Sequence, residues 1–197
     1  MPGQLKVVVC ASGGGGNFQA LIDARAQLGM EISMLLVDRH CGAIARAQRH
    51  GIAWRQIDVA ADKGSLDATF DAAMPPGTQL IVLAGFLPIV PSAFCSRWAG
   101  RIINIHPSLL PKHGGKGMYG VRVQEAVLAA GDASAGCTVH HVSSVVDGGA
   151  IILQQVVNVT AGETAWQLGG RIFKEEGALL VNAIATLRQS LVGSSKL

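Results

Sequence analysis

Short apolar runs rich in β-branched residues alternate with segments of helical periodicity along the first half of this 197-residue chain. The predicted strands cover residues 5–10, 32–37, 53–57, 79–84 and 102–106. Strands separated by helices run parallel through right-handed crossovers, and strands that are apolar throughout are covered on both faces. The pattern predicts an α/β fold, a Rossmann-like mostly parallel sheet with helices on both faces.

The second half of the chain departs from this alternation of strands and helices. Two predicted strands, 137–143 and 150–159, flank the sequence SVVDGG, whose Asp-Gly pair is a hairpin signal. This hairpin adds an antiparallel strand to the C-terminal half, and a long helical segment follows over 164–189. We expect a single domain over residues 1–189 and a flexible tail over 190–197. Taken alone, Asp147 in this turn is most simply a turn residue.

A run of four glycines, Gly13 to Gly16, lies between the first predicted strand and the first predicted helix. Backbone N–H groups at a helix N-terminus are unpaired and, with the helix dipole, favour an anion. We therefore expect a phosphate group against Gly15, Gly16 and Asn17. The run lacks the Gly-Lys-Ser/Thr of a P-loop and fits a dinucleotide fingerprint poorly, although Asp38 follows the second strand where a ribose-binding acid would lie.

The strand at 102–106 carries Asn104 and His106 at i and i+2, on the same face. Pro107 and Pro111 end the regular structure, and a Gly- and Lys-rich segment over 112–120 is expected to be a mobile loop. An amide that donates and an imidazole that can carry charge together suit the stabilisation of an oxyanion. Because parallel strands place ligands beyond their carboxyl ends, this pair and the glycine loop should share one site.

Composition narrows the class of protein. The formal net charge is only +3 and the basic residues are scattered, which argues against a nucleic-acid partner. The four cysteines form no CxxC pair, which favours reduced thiols in a cytoplasmic protein over disulfides or a metal site. No signal peptide and no apolar stretch of transmembrane length is evident. We expect small-molecule substrates, no membrane partner, no metal, and a monomer or homodimer.

Several segments together resemble the folate-dependent formyltransferases. They are INIHPSLLPKHGGKG, the upstream SGGGGNFQAL and LAGF, and the downstream TVHHVSSVVDGG. NIHPSLLP is highly specific for this family, and the similarity extends over nearly the whole chain. The closest likeness is to members that formylate the amine of glycinamide ribonucleotide in purine biosynthesis. The resemblance implies 10-formyltetrahydrofolate as co-substrate and formyl donor.

The resemblance also implies roles for residues. The family's catalytic residues match Asn104, His106 and Asp147, so Asp147 becomes an active-site carboxylate that aids proton transfer. The phosphate-binding positions match Gly15, Gly16 and Asn17, and further substrate-binding positions match Glu176 and, loosely, Lys63. The expected folate-binding positions are Leu87, Pro88, Ile89, Val90, Val142 and Val146. Many members have arginine where Pro88 stands, and a lysine of the 112–116 loop is a hypothetical replacement.

The same residues are compatible with other functions. A formyltetrahydrofolate hydrolase would use the same Asn, His and Asp with water as the acceptor. A methionyl-tRNA formyltransferase would need a further C-terminal domain and a basic surface for tRNA. A dinucleotide-dependent oxidoreductase rests on the glycine loop and Asp38 alone, and a folate-binding module would not need all three catalytic residue types.

Overall fold

The structure, a computed structural model, describes residues 4–59 and 63–193, with only the backbone described at 63–65 and 192–193. The strands are β1 Leu5–Ala11, β2 Met30–Val37, β3 Trp54–Gln56, β4 Leu80–Leu83, β5 Ile102–His106, β6 Ser134–His141 and β7 Ile151–Asn158. The helices are α1 Gly16–Ala24, α2 Gly42–Arg49, α3 Lys63–Ala73, α4 Ser92–Arg97, α5 Val121–Ala129 and α6 Ala165–Gly193. Each predicted strand and helix therefore has a counterpart, with ends that shift by a few residues.

The strands form one seven-stranded sheet in the order β3-β2-β1-β4-β5-β6-β7. The pairs from β3 to β5 are parallel, whereas β6 pairs antiparallel with both β5 and β7. The predicted Rossmann-like sheet with an antiparallel C-terminal part is confirmed. The strand order reverses between β1 and β4, and ligands bind in α/β proteins at such a switch point.

Two hydrophobic clusters cover the two faces of the sheet. Val7 and Val9 of β1 pack in one cluster with residues of α1, α2, α5 and α6. Val8 and Cys10 point the other way into a cluster that includes Phe70 of α3 and Phe94 of α4. Alternation of side chains along a fully buried strand explains this division, and it confirms helices on both faces.

Helix α6 packs against both α1 and α5. A Cβ atom at Gly177 would lie 2.7 Å from Cβ of Ala20, and one at Gly169 would lie 3.5 Å from Oε1 of Gln124. Gly177 therefore serves a close contact between α6 and α1, whereas a Cβ atom at Gly169 would meet its neighbour at an ordinary contact distance. The helix continues to Gly193, four residues past its predicted end, and residues 194–197 of the predicted tail lie outside the described residues.

All four cysteines are free, as predicted. Burial raises the pKa of Cys10 to about 12, and burial followed by the nearby charges of Glu176 and Glu175 raises that of Cys137 to about 12. Such thiols are unreactive because the thiolate is the nucleophile. Within residues 4–59 and 63–193, no helix combines the length and the apolar character that a membrane span requires.

Candidate active site

A cleft of about 580 Å³ opens at the carboxyl edge of the sheet, where β4, β5 and β6 end. It contains the catalytic and folate-binding residues expected from the sequence together with one from α6. These lining residues are Leu87, Pro88, Ile89, Val90, Asn104, His106, Val142, Val146, Asp147 and Glu176. The fold thus brings together positions that are far apart in the chain.

His106 ends β5 and is 4% exposed. Its Nε2 lies 2.9 Å from the carbonyl oxygen of His113, and its Nδ1 lies 3.4 Å from Oδ2 of Asp147. A carbonyl oxygen can only accept, so Nε2 carries a proton and donates it to His113. Nδ1 of His106 therefore faces the carboxylate of Asp147, whose negative charge favours a second proton on the imidazole ring.

The pKa values in this group follow from burial and from the neighbouring charges. Burial lowers the pKa of His106, and the carboxylate of Asp147 and the carbonyl of His113 only partly oppose it. Burial would raise the pKa of Asp147, but the imidazoles of His140 and His106 and the N–H of Gly115 lower it below its usual value. Asp147 is consequently an ionised carboxylate at neutral pH, held beside two imidazole rings.

Asp147 lies in the turn between β6 and β7, with a left-handed φ of 55°. Its Oδ2 accepts a 2.9 Å hydrogen bond from the backbone N–H of Gly115. Backbone strain at a non-glycine residue persists where surrounding contacts hold it, and it is concentrated at functional sites. The residue is therefore both the turn residue that the local sequence suggests and a carboxylate directed into the cleft.

His140 is a member of the site that the sequence reasoning missed. It lies directly opposite Asn104 in the antiparallel pair of β5 and β6, and its Nε2 is 3.1 Å from Nδ2 of Asn104. Its Nδ1 is 2.9 Å from the carbonyl oxygen of His141, so Nδ1 carries the proton and Nε2 accepts from the amide. Nε2 also lies 3.6 Å from Oδ1 of Asp147. The HH pair at 140–141 was visible, but only the register with β5 shows which histidine faces Asn104.

Asn104 keeps a second amide N–H that this contact does not use. An amide nitrogen has two donors, and the one directed at His140 fixes the orientation of the group. Asn104, His106 and Asp147 line the same cleft. The arrangement can accordingly hold a developing oxyanion while a carboxylate nearby accepts a proton.

The glycine loop connects to the cleft through one buried hydrogen bond. Gly15 has a left-handed φ of 73° and precedes α1 without a side-chain cap, so the first N–H groups of the helix lack a capping side chain. Nδ2 of Asn17 donates a 2.6 Å hydrogen bond to Oε2 of Glu176, which lines the cleft. The half-exposed ring of Phe173 packs against Gly16, where it would overlap an added Cβ atom.

The part of the cleft wall formed by residues 87–90 is apolar and partly exposed. Leu87 is 49% exposed and Ile89 is 56% exposed, which leaves their side chains free to contact a flat aromatic ligand. Oγ of Ser12 accepts a 2.9 Å hydrogen bond from the N–H of Leu87 and ties this segment to the end of β1. Lys116 and Arg122 line the same cleft as Pro88 and add positive charge there.

Three further expectations concern Lys63, Asp38 and the absence of a metal. Lys63 begins α3, but its side chain lies outside the described residues. Asp38 pairs its Oδ2 with the guanidinium of Arg39 at 2.6 Å, while its other carboxylate oxygen, Oδ1, is buried without a hydrogen-bond partner among the described residues. Among the described parts of the chain, no group of three or more His, Cys, Asp or Glu could hold a metal ion. Metal-free chemistry stays a prediction.

Comparison with known proteins finds relatives that are formyltransferases or contain a matching segment of purine biosynthetic proteins. The formyl transferase family model matches residues 5–184. The chloroplastic phosphoribosylglycinamide formyltransferase of Vigna unguiculata is 36% identical over 188 residues, 92% of this chain. The human trifunctional purine biosynthetic protein adenosine-3 is 33% identical over 193 residues, 95% of this chain.

The coverage of these relatives differs. This chain spans 60% of the Vigna protein and 19% of the human one. The crystal structure of phosphoribosylglycinamide formyltransferase from Brucella melitensis is similar with a TM-score of 0.83 and 36% identity, and the match covers 93% of this chain and 95% of that one.

Proposed function

The chain belongs to the formyl transferase family, and we propose that it transfers the formyl group of 10-formyltetrahydrofolate to the amine of glycinamide ribonucleotide in purine biosynthesis. The observation that carries this proposal is the group formed by Asn104, His106, His140 and Asp147 at one end of a largely apolar cleft. The names of the relatives support the choice of substrates.

The proposed reaction begins with attack of the neutral amine on the formyl carbon. The carbon–nitrogen bond forms as the carbonyl π electrons move to oxygen, which gives a tetrahedral oxyanion. Asn104 donates its free amide N–H to that oxygen, and His106 supplies positive charge when its ring is doubly protonated. Burial lowers the pKa of His106, but a negative oxyanion next to the ring favours the imidazolium.

Asp147 supports the proton transfer that follows. The attacking nitrogen loses a proton, and the folate nitrogen gains one as its bond to the formyl carbon breaks. A carboxylate that is ionised at neutral pH can orient a water molecule that carries this proton, and it stabilises the charge on His106. No covalent enzyme intermediate is needed.

The cleft and the adjoining first turn of α1, joined through the hydrogen bond of Asn17 to Glu176, suit the two substrates. The first turn of α1 at Gly15, Gly16 and Asn17 offers N–H groups to the phosphate of the ribonucleotide, and Glu176 accepts from its polar groups. The folate ring lies against the backbone of residues 87–90 and the valines at 142 and 146. Lys116, rather than Lys112, is the lysine of the loop that lines the cleft and suits the anionic part of the folate near Pro88.

The experiment that tests the proposal follows the absorbance of the folate product with and without glycinamide ribonucleotide. Turnover that requires the ribonucleotide supports the transferase. Turnover in its absence indicates a hydrolase, and no turnover in either case overturns the assigned acceptor. A cytoplasmic location, a monomeric or homodimeric state and the lack of a nucleic-acid partner stay predictions.

A further inference from the structure

A three-residue segment of irregular backbone, His113 to Gly115, holds both the imidazole and the carboxylate of the candidate active site. The carbonyl of His113 accepts from Nε2 of His106 at 2.9 Å, and the N–H of Gly115 donates to Oδ2 of Asp147 at 2.9 Å. Each of these two catalytic candidates thus takes its orientation from main-chain atoms of the same short segment.

This segment adopts a conformation that its own sequence does not favour. His113 has a left-handed φ of 53°, a backbone conformation that is unfavourable for a non-glycine residue. A Cβ atom at Gly114 would overlap Cδ2 of Leu110 and lie 3.3 Å from Cβ of Asp147, so the chain passes close to Asp147 there. Contacts from outside the segment must keep it in place.

The side chain of Asp132 supplies those contacts. Its Oδ2 lies 2.8 Å from Nε2 of His113, and its Oδ1 lies 2.8 Å from Nζ of Lys112. Hydrogen bonds from His113 and then Lys112 lower the pKa of Asp132, so it is ionised at neutral pH. The side chains of His113 and Asp132 are only 16% and 18% exposed, whereas that of Lys112 is 69% exposed. The contact with His113 is therefore the more protected of the two.

We propose that Asp132 and His113 act as positioning residues that keep His106 and Asp147 in their reactive orientation. This role rests on the proposed function, since it assumes that His106 and Asp147 take part in the chemistry. The hydrogen bond to Asp132 fixes the side chain of His113, and with it the position of the His113 carbonyl. That carbonyl keeps the proton of His106 on Nε2 and turns Nδ1 toward Asp147. Among the described contacts, neither Asp132 nor the side chain of His113 forms a hydrogen bond with the side chain of His106 or Asp147.

The test compares Asp132→Ala and Asp132→Asn with the matched control Asp71→Ala. Asp71 also pairs its carboxylate with a cation, Arg97 at 2.6 Å, but lies on α3 away from the cleft. Asp132→Ala should lower kcat by about 10- to 100-fold with little change in KM, because the reacting groups lose alignment and the substrate contacts remain. Asp132→Asn keeps an oxygen that accepts from His113 and should recover most of kcat, and Asp71→Ala should match the unchanged protein.

A second readout does not depend on turnover. Nitrogen-15 NMR of the histidine rings reports which nitrogen of His106 is protonated, and thermal unfolding shows whether each variant is folded. The unchanged protein and Asp132→Asn should show the proton on Nε2, whereas folded Asp132→Ala should show a mixture of ring states.

Unchanged kcat and an unchanged His106 signal in folded Asp132→Ala overturn the positioning role, even if formyl transfer is confirmed. A changed ring signal in a protein without formyl transfer supports the positioning geometry and overturns the proposed reaction instead. If only Asp132→Ala fails to fold, Asp132→Asn provides the test. A His106 proton that is no longer on Nε2 in this folded variant contradicts the proposal.

Discussion

Asn17 and Glu176 are joined by a 2.6 Å hydrogen bond that links the first turn of α1 to α6 across 159 residues. Both side chains are buried, at 5% and 8% exposure. The close approach of the helices depends on Gly177, whose missing side chain leaves room for Ala20. This contact delivers a carboxyl group to the cleft from the far end of the chain.

Replacing Glu176 with glutamine should change the pH dependence of stability. Burial raises the pKa of Glu176, and the hydrogen bond from Asn17 only partly offsets this. A carboxyl group whose pKa is higher in the folded state contributes most below its unfolded-state value of 4.5, and that contribution is lost as the pH rises through the folded-state pKa. Glu176→Gln should therefore gain free energy of unfolding relative to the unchanged protein between pH 4 and pH 8.

Urea unfolding over that pH range measures the difference, with the exposed neighbour Glu175→Gln as the matched control. Parallel curves for Glu176→Gln and the unchanged protein would contradict the prediction. If Glu176 also binds substrate, the same variant should raise KM for the ribonucleotide.

Removing the amide of Asn104 should slow the reaction strongly. Asn104→Ala removes the donor that we propose stabilises the oxyanion, and kcat should fall by about 100- to 1000-fold, or about 3–4 kcal/mol in the barrier. Steady-state kinetics measure it, and the exposed Asn182→Ala on α6 provides a control of the same residue type. Measured kcat values commonly scatter by about a factor of 2–3, so a kcat within about threefold of the control would contradict the oxyanion role.

Asp147→Asn separates charge from geometry. Asparagine tolerates the left-handed backbone of this turn about as well as aspartate does, so the fold should be kept. Loss of the carboxylate removes the partner that raises the pKa of His106, and kcat should fall by about 100-fold or more. Circular dichroism checks that the fold is kept, and a formyl transfer assay on the same sample measures the loss of kcat. Full transfer activity in this variant would refute the assigned role of the carboxylate.

His140 and His141 form a natural pair of test positions. Successive side chains of a strand point to opposite faces, and His140 is the one that contacts Asn104. His140→Ala should lower kcat by about 10-fold or more because the amide of Asn104 loses its fixed orientation. His141→Ala should retain most of the activity. Equal effects of the two variants would argue that His140 serves only the packing of β6.

Two glycines of α6 should respond in opposite ways to alanine. No atom lies within 4 Å of the Cβ position at Gly170, so Gly170→Ala should stabilise the helix by about 0.5–1 kcal/mol. At Gly177 the added carbon would meet Cβ of Ala20 at 2.7 Å, so Gly177→Ala should destabilise the protein by about 1–3 kcal/mol. Chemical denaturation measures both values, and a stabilised Gly177→Ala would show that α1 and α6 can separate at little cost.

The local sequence was a good guide to the order of elements and to the position of the site. The apolar runs and their spacing predicted a parallel sheet, and the strand Ile102–His106 has the predicted bounds. Asn104 and His106 share a face because a strand repeats every two residues, which is a property of local geometry. The glycine run likewise marked the turn before α1.

The partners of these residues depended on contacts between distant segments. His140 meets Asn104 because β5 and β6 pair antiparallel in one register, and a slip of one residue would have presented His141 instead. Asp132 reaches His113 because the turn after α5 folds back on the loop that follows β5.

The sequence by itself therefore determined the fold class, the strand that carries Asn104 and His106, and the turn that carries Asp147. These follow from periodicity and backbone preference, which act over a few residues. Only the tertiary structure decided which histidine orients Asn104, which acid holds His113 and how Asn17 finds Glu176. Strand register and the packing of particular helices against each other set those contacts, and the periodicity of the sequence shows which face is buried but not which partner it meets.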